Sequence, residues 1–127
     1  MGLSTSHGCY QGGYGGFKHL RLKLAKAAGY DTEMNTIFGE IPKLDWDAYP
    51  ESAGLGEWDE LPDDILIVLL VHSDCEGKLP HSLCKPLAER LKELSPLLDS
   101  DFYREQAEAF VVGLELADSL KQDVRFR

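Results

Sequence analysis

The chain lacks a hydrophobic run long enough to cross a bilayer. Its longest apolar stretch, Ile65 to Val71, has seven residues, where a spanning helix needs about 20. It also lacks surplus cations: 13 Lys and Arg stand against 22 Asp and Glu, a formal charge of −9. General binding to nucleic acid or anionic lipid depends on excess Lys and Arg and is therefore not expected. The three cysteines, Cys9, Cys75 and Cys84, are an odd set without the spacing of a disulfide framework, so free thiols and a reducing cytoplasm are expected. The first seventeen residues are glycine-rich and polar rather than basic then apolar, which argues against a secretory leader. No internal repeat or low-complexity tract is present. Neither G-x-x-x-x-G-K-[ST] nor a strand-borne G-x-G-x-x-G occurs, so an ordinary nucleotide-hydrolase loop is unsupported.

What is there suits one domain spanning residues 1–127. At 127 residues and 43% hydrophobic, the chain is large enough to bury a core without disulfide or metal staples. Its charge is unevenly distributed. Residues 1–30 carry Lys18, Arg21, Lys23 and Lys26 and no acid, giving +4, while residues 31–127 carry nine basic and 22 acidic groups, giving −13.

The apolar periodicity predicts a mainly α-helical domain of four to five helices with at most a small β-sheet, the alternative being α+β. Residues 8–16 read as a glycine-tyrosine loop that approaches a ligand or the core closely. Phe17, Leu20, Leu24 and Ala27 then mark a helix stopped by Gly29. Residues 30–60 are irregular, with 36–41 as a short strand and Trp46, Tyr49 and Trp58 as anchors. Leu61-Pro62-Asp63-Asp64 opens a helix over the apolar run 65–71, although a buried strand would show the same pattern. Leu83, Leu87, Leu91 and Leu94 mark the next helix, with Pro86 in its first turn and Pro96 past its end. The clearest amphipathic helix begins near Ser100 or Asp101 and carries Tyr103, Ala107, Phe110, Leu114, Ala117 and Leu120. Val124-Arg125-Phe126 reads as a short edge strand.

The turn His72-Ser73-Asp74-Cys75-Glu76-Gly77 fits the frame of a calcium-loop helix-turn-helix, with His72 at loop position 1 and Gly77 at position 6. The ligands do not fit calcium. Histidine is a poor partner for a hard cation, and Leu83 stands where the bidentate glutamate belongs, so an EF-hand-like turn without calcium ligands is expected. His72, Cys75, His81 and Cys84 form two H-x-x-C pairs, the composition of a tetrahedral zinc site, but Cys84 in a helix is more often a small core residue, and no metal or cofactor is expected. His72, Asp74 and Cys75 also have the composition of a catalytic set, yet neighbours in one tight turn rarely aim at one atom. The loop feeding the first helix is a second candidate. Helix N–H groups with Lys18 and Arg21 suit phosphate, and Tyr10 and Tyr14 suit stacking on a ring. Equally, the glycines there let the chain cross closely over the core.

Met1-Gly2-Leu3, Ser6-His7-Gly8-Cys9, Gly13-Tyr14-x-x-Phe17 and His72-Ser73-Asp74-Cys75-Glu76-Gly77 resemble an uncharacterised family of small bacteriophage and prophage proteins with an H-S-D-C-[DE]-G turn. That resemblance implies action on host machinery in the host cytoplasm, and by analogy the sequestration of a small anionic, nucleotide-like signal to counter host defence. The implied ligand contacts are His7, Cys9, Tyr10, Tyr14, Lys18, Arg21, His72 and Asp74, gathered if the glycine loop packs on the 72–77 turn. A binding protein rather than an enzyme is expected. The alternatives are an inhibitor whose acidic surface engages a host protein, or a small hydrolase using the His, Asp and Cys cluster. A homo-oligomer is compatible with either binding reading.

Overall fold

A computed structural model of the chain describes residues 2–30, 64–70, 72 and 77–126. The expected strand 36–41 and the anchors Trp46, Tyr49 and Trp58 lie outside the described residues. The described part is mainly helical, with four α-helices and two two-stranded sheets. No helix among the described residues is long and apolar enough to cross a membrane.

The N-terminal stretch forms a hairpin where a loop was expected. Strands β1 (Gly2–Ser4) and β2 (Gln11–Gly13) pair antiparallel with Leu3 opposite Gly12. Glycine is a poor strand former, and here a side chain closes the pairing. Thr5 Oγ1 accepts the Tyr10 N–H at 2.8 Å, and the Thr5 N–H donates to the Tyr10 carbonyl at 3.0 Å. Strand β2 runs directly into α1 (Tyr14–Ala27). Phe17, Leu20 and Leu24 on its expected stripe are fully buried. The helix stops at Gly29, whose φ of 94° is accessible to glycine and rarely to other residues. There the Tyr30 N–H reaches back to the Ala25 carbonyl and the Gly29 N–H to that of Lys26.

The apolar run around 65–71 is helical, forming α2 (Leu66–Leu70), all five residues of which are buried. Asp64 sets its start by accepting the Leu66 N–H at 3.0 Å. The same carboxylate takes a bidentate pair of hydrogen bonds from Arg90, at 3.1 Å from Nε and 3.2 Å from Nη2, and another from the Tyr30 hydroxyl at 3.2 Å. At the far end of the turn, Gly77 has φ 98°, the conformation that position 6 of the expected frame requires. Strand β3 (Lys78–Leu79) then pairs antiparallel with β4 (Val124–Arg125), Leu79 opposite Val124.

Helix α3 (His81–Leu94) begins earlier than its proline suggests, so Pro86 lies inside it rather than in its first turn. The early start is held by a residue distant in sequence, since Asp123 Oδ1 accepts the His81 N–H at 2.8 Å. The carbonyl that Pro86 leaves without its helical partner belongs to Ser82, an exposed residue. Pro96 sits in a 3-10 turn, Ser95–Leu97. Helix α4 (Asp101–Leu120) packs on α3 and buries Ala107, Phe110, Val111, Gly113, Leu114 and Ala117. Leu120, placed on the buried stripe by periodicity, is 51% exposed, because the chain leaves the helix next to it through Lys121 at φ 55°.

These elements enclose one contiguous apolar cluster. Phe17 is its hub, with ring centroids 5.2 Å from Tyr10, 6.4 Å from Phe110 and 5.9 Å from Phe126. The N-terminal segment docks on α4 at Gly113, where an added Cβ would lie 2.5 Å from Cys9 Sγ and 2.8 Å from its backbone N. Gly113→Ala is therefore expected to lower stability by about 1–3 kcal/mol through overpacking, although alanine in an ordinary helix interior gains about 1 kcal/mol over glycine. Urea unfolding reads the sign.

Burial disfavours the charged form of Asp64, but the hydrogen bonds from Arg90, the Leu66 N–H and Tyr30 outweigh it and hold the carboxyl below its ordinary 3.8. A carboxyl with a depressed folded-state pKa contributes stability above its unfolded pKa and loses that contribution as pH falls through the folded value. Unfolding measured from pH 7 to pH 2 should thus show stability falling below about pH 4, and Asp64→Asn should flatten that decline while costing about 1–3 kcal/mol at pH 7.

Candidate functional site

The residues that the sequence marks for ligand contact are spread over the fold, and several are engaged inside it. Arg21 lies one helical turn beyond Phe17 on α1, its guanidinium 4.5 Å above that ring. Its Nη1 donates to the His72 carbonyl at 2.7 Å, to Leu70 at 3.2 Å and, at the 3.5 Å limit, to Leu69. These acceptors include the last carbonyls of α2, which have no intrahelical partners. His72 is 2% exposed and its ring sits 3.9 Å from that of Phe126. Its Nε2 is 3.0 Å from the Lys78 carbonyl, which only accepts, so the proton resides on Nε2.

Cys9 and Tyr10 are buried. The Tyr10 hydroxyl donates to the Gly13 carbonyl at 3.1 Å, and burial first, then the nearby Tyr103, raises its pKa. An added Cβ at Gly12 or Gly16 would stand 3.0 or 2.8 Å from that hydroxyl, so these glycines let the phenol lie close under the chain. His7, half-buried at φ 63°, links the two ends of the molecule. Ser6 Oγ accepts the Arg125 N–H at 2.9 Å and lies 2.7 Å from His7 Nδ1, while His7 Nε2 is 2.8 Å from Gln122 Oε1. Lys18 is half-buried on α1, and Tyr14 is the first residue of that helix. Asp74 lies outside the described residues. Tyr10 of the glycine-rich segment is linked to His72 through two intervening rings, Phe17 and Phe126.

Three of the four candidate zinc ligands, His72, His81 and Cys84, lie among the described residues. Cys75 lies outside the described residues. His72 is bonded as above, and His81 Nδ1 is 3.3 Å from Asp123 Oδ1. Burial, then the carboxylates of Asp118 and Asp123, push the Cys84 thiol up to about 11; burial, then Cys84, push Cys9 up to about 12. Neutral thiols are poor nucleophiles and poor metal ligands. No group of three or more His, Cys, Asp or Glu among the described residues is arranged to hold a metal.

A surface that the sequence reading passed over is the outward side of α4. Phe102, Val112, Leu116 and Leu120 are 60, 66, 45 and 51% exposed, and with exposed Ala109 they share a sector of about 80° on a helix of 3.6 residues per turn. The signal was present as a second apolar stripe spaced 7, 3, 4 and 4, hidden because the stronger core stripe on the same helix had already accounted for its amphipathicity. Glu105 falls inside that sector, between Phe102 and Ala109 along the helix, and on the side toward α3 the strip is bordered by Glu108 and Glu115. Glu115 is 3.2 Å from Lys92, whereas Glu105 and Glu108 form no ion pair among the described residues. Beside them lies an open depression of about 310 Å³ lined by Lys92, Ser95, Pro96, Glu108, Val111 and Val112. The Ser95 Oγ next to it is buried and has no hydrogen-bond partner among the described residues.

Comparison of the chain with protein-family models, with curated proteins and with solved structures finds no match in any of the three. The functional reading therefore rests on the geometry.

Proposed function

We propose that this chain is a non-enzymatic protein-binding module that engages another protein through the outward face of α4. The observation that carries the reading is the aligned set of large exposed apolar residues, Val112, Leu116 and Leu120, with Phe102 about 15 Å before them on the same face, on a helix whose opposite face already fills the core. Single exposed apolar residues are common on soluble proteins, whereas an aligned strip bordered by charge marks a contact surface. The net charge of −9 favours a basic partner through steering and complementarity. The phage-like motifs in the sequence favour a host protein as that partner.

Capture of a small nucleotide-like anion has narrower support. It draws on the start of α1 at Gly13, which has no side-chain cap and no carboxylate in its first turn. Arg21, His72, Cys9 and Tyr10 have internal roles that compete with ligand contact.

The test places a photo-crosslinking amino acid at Val112, at Leu116 and, as control, at exposed Lys26 on α1, in bacterial cells expressing the chain. The reading predicts the same crosslinked protein from both α4 positions and none from position 26. No adduct from α4, or the same adduct from all three positions, contradicts it.

A further inference from the structure

We propose that the partner element seated on α4 is a cationic amphipathic helix, lying along the apolar strip with its Lys or Arg side chains against Glu105 and Glu108. This inference rests on the protein-binding reading above. Three observations carry it. Phe102 to Leu120 spans about 27 Å at 1.5 Å per residue, the length of a five-turn helix, and the strip's spacing is that of a helix-on-helix contact. Glu105 within the strip and Glu108 on its border toward α3 form no ion pair among the described residues, while Glu115 is already occupied by Lys92. The depression beside them has an apolar lining from Pro96, Val111 and Val112, with Glu108 among its lining residues and Lys92, which also lines it, paired with Glu115. That combination suits the aliphatic stem and cationic head of a Lys or Arg.

The same asymmetry argues against a second copy as the occupant. A two-fold contact brings identical patches together. An antiparallel α4 pair would set the Glu108 and Glu115 border of one copy against the same border of its partner, and a parallel pair would set Glu105, which lies within the strip, opposite its own copy. Either arrangement buries like charge or unpaired charge. A helix with Lys or Arg along one border has neither conflict.

The test uses three labelled 18-residue helical peptides with one common leucine stripe and flanks of Lys, Gln or Glu, titrated into the full chain by fluorescence anisotropy. The Lys-flanked peptide should bind one per chain, at least tenfold tighter than the Gln-flanked peptide, with the Glu-flanked peptide weakest. Glu105→Lys with Glu108→Lys should remove that preference, Val112→Asp should weaken all binding at least tenfold, and circular dichroism should show both variants folded. Equal binding of the three peptides, binding of none, or an undiminished Lys preference in the Glu105→Lys and Glu108→Lys variant would overturn the inference. Self-association of the chain that Val112→Asp abolishes would replace it with a homodimer. In each of these cases crosslinking of another protein from positions 112 and 116 still decides the broader reading: it survives if that adduct persists and fails if the adduct is missing.

Discussion

The structure depends on one guanidinium. A helix of five residues is too short to hold itself together, because nucleation costs more than its few hydrogen bonds return and all its terminal carbonyls lack intrahelical partners. Helix α2 persists because all five of its residues are buried and because both ends are tied to other helices. Asp64 binds the first turn and is held in turn by Arg90 of α3, while Arg21 of α1 gathers the carbonyls of Leu70 and His72. The Arg21 head is positioned from below by Phe17, over whose ring it lies. Charge-assisted hydrogen bonds of this kind are worth roughly twice neutral ones, and buried carbonyls without partners would be costly. This one contact orients the chain entering the 72–77 turn and presents the His72 ring to Phe126.

A second constraint closes the molecule on itself. Thr5 bridges to Phe126, Ser6 accepts from Arg125, His7 meets Gln122, and Asp123 caps α3. The two ends of the described chain thus interlock over α4, and the close approach at Gly113 is what allows Cys9 to lie there. With one side of α4 packed against α3 and another against this crossing, its exposed apolar residues are those of the outward strip.

Much of this was legible in the sequence. The stripes of Phe17, Leu20 and Leu24 and of Ala107, Phe110, Leu114 and Ala117, the stop at Gly29 and the turn at Gly77 follow from period and from glycine's freedom at positive φ. What was not legible depended on distant partners. The hairpin at residues 2–13 needs Thr5 and Tyr10 to close it, the early start of α3 needs Asp123, and nothing local separates Gly113 from any helix-weakening glycine. The site suffered from the same blindness. Arg21 and His72 have the chemistry of ligand contacts, yet their neighbours at the end of α2 and at Phe126 give them structural partners that no spacing rule reveals. The α4 strip was visible as a pattern, but only burial shows that it is the uncovered one of two stripes.

The most direct measurement is the unfolding free energy of Arg21→Met, which keeps an apolar stem beside Phe17 and removes the donors. A structural cap predicts a loss of about 2–3 kcal/mol at pH 7. Stability within about 0.5 kcal/mol of the parent chain, the range of an ordinary surface substitution, would contradict the account and return Arg21 to the candidates for ligand contact.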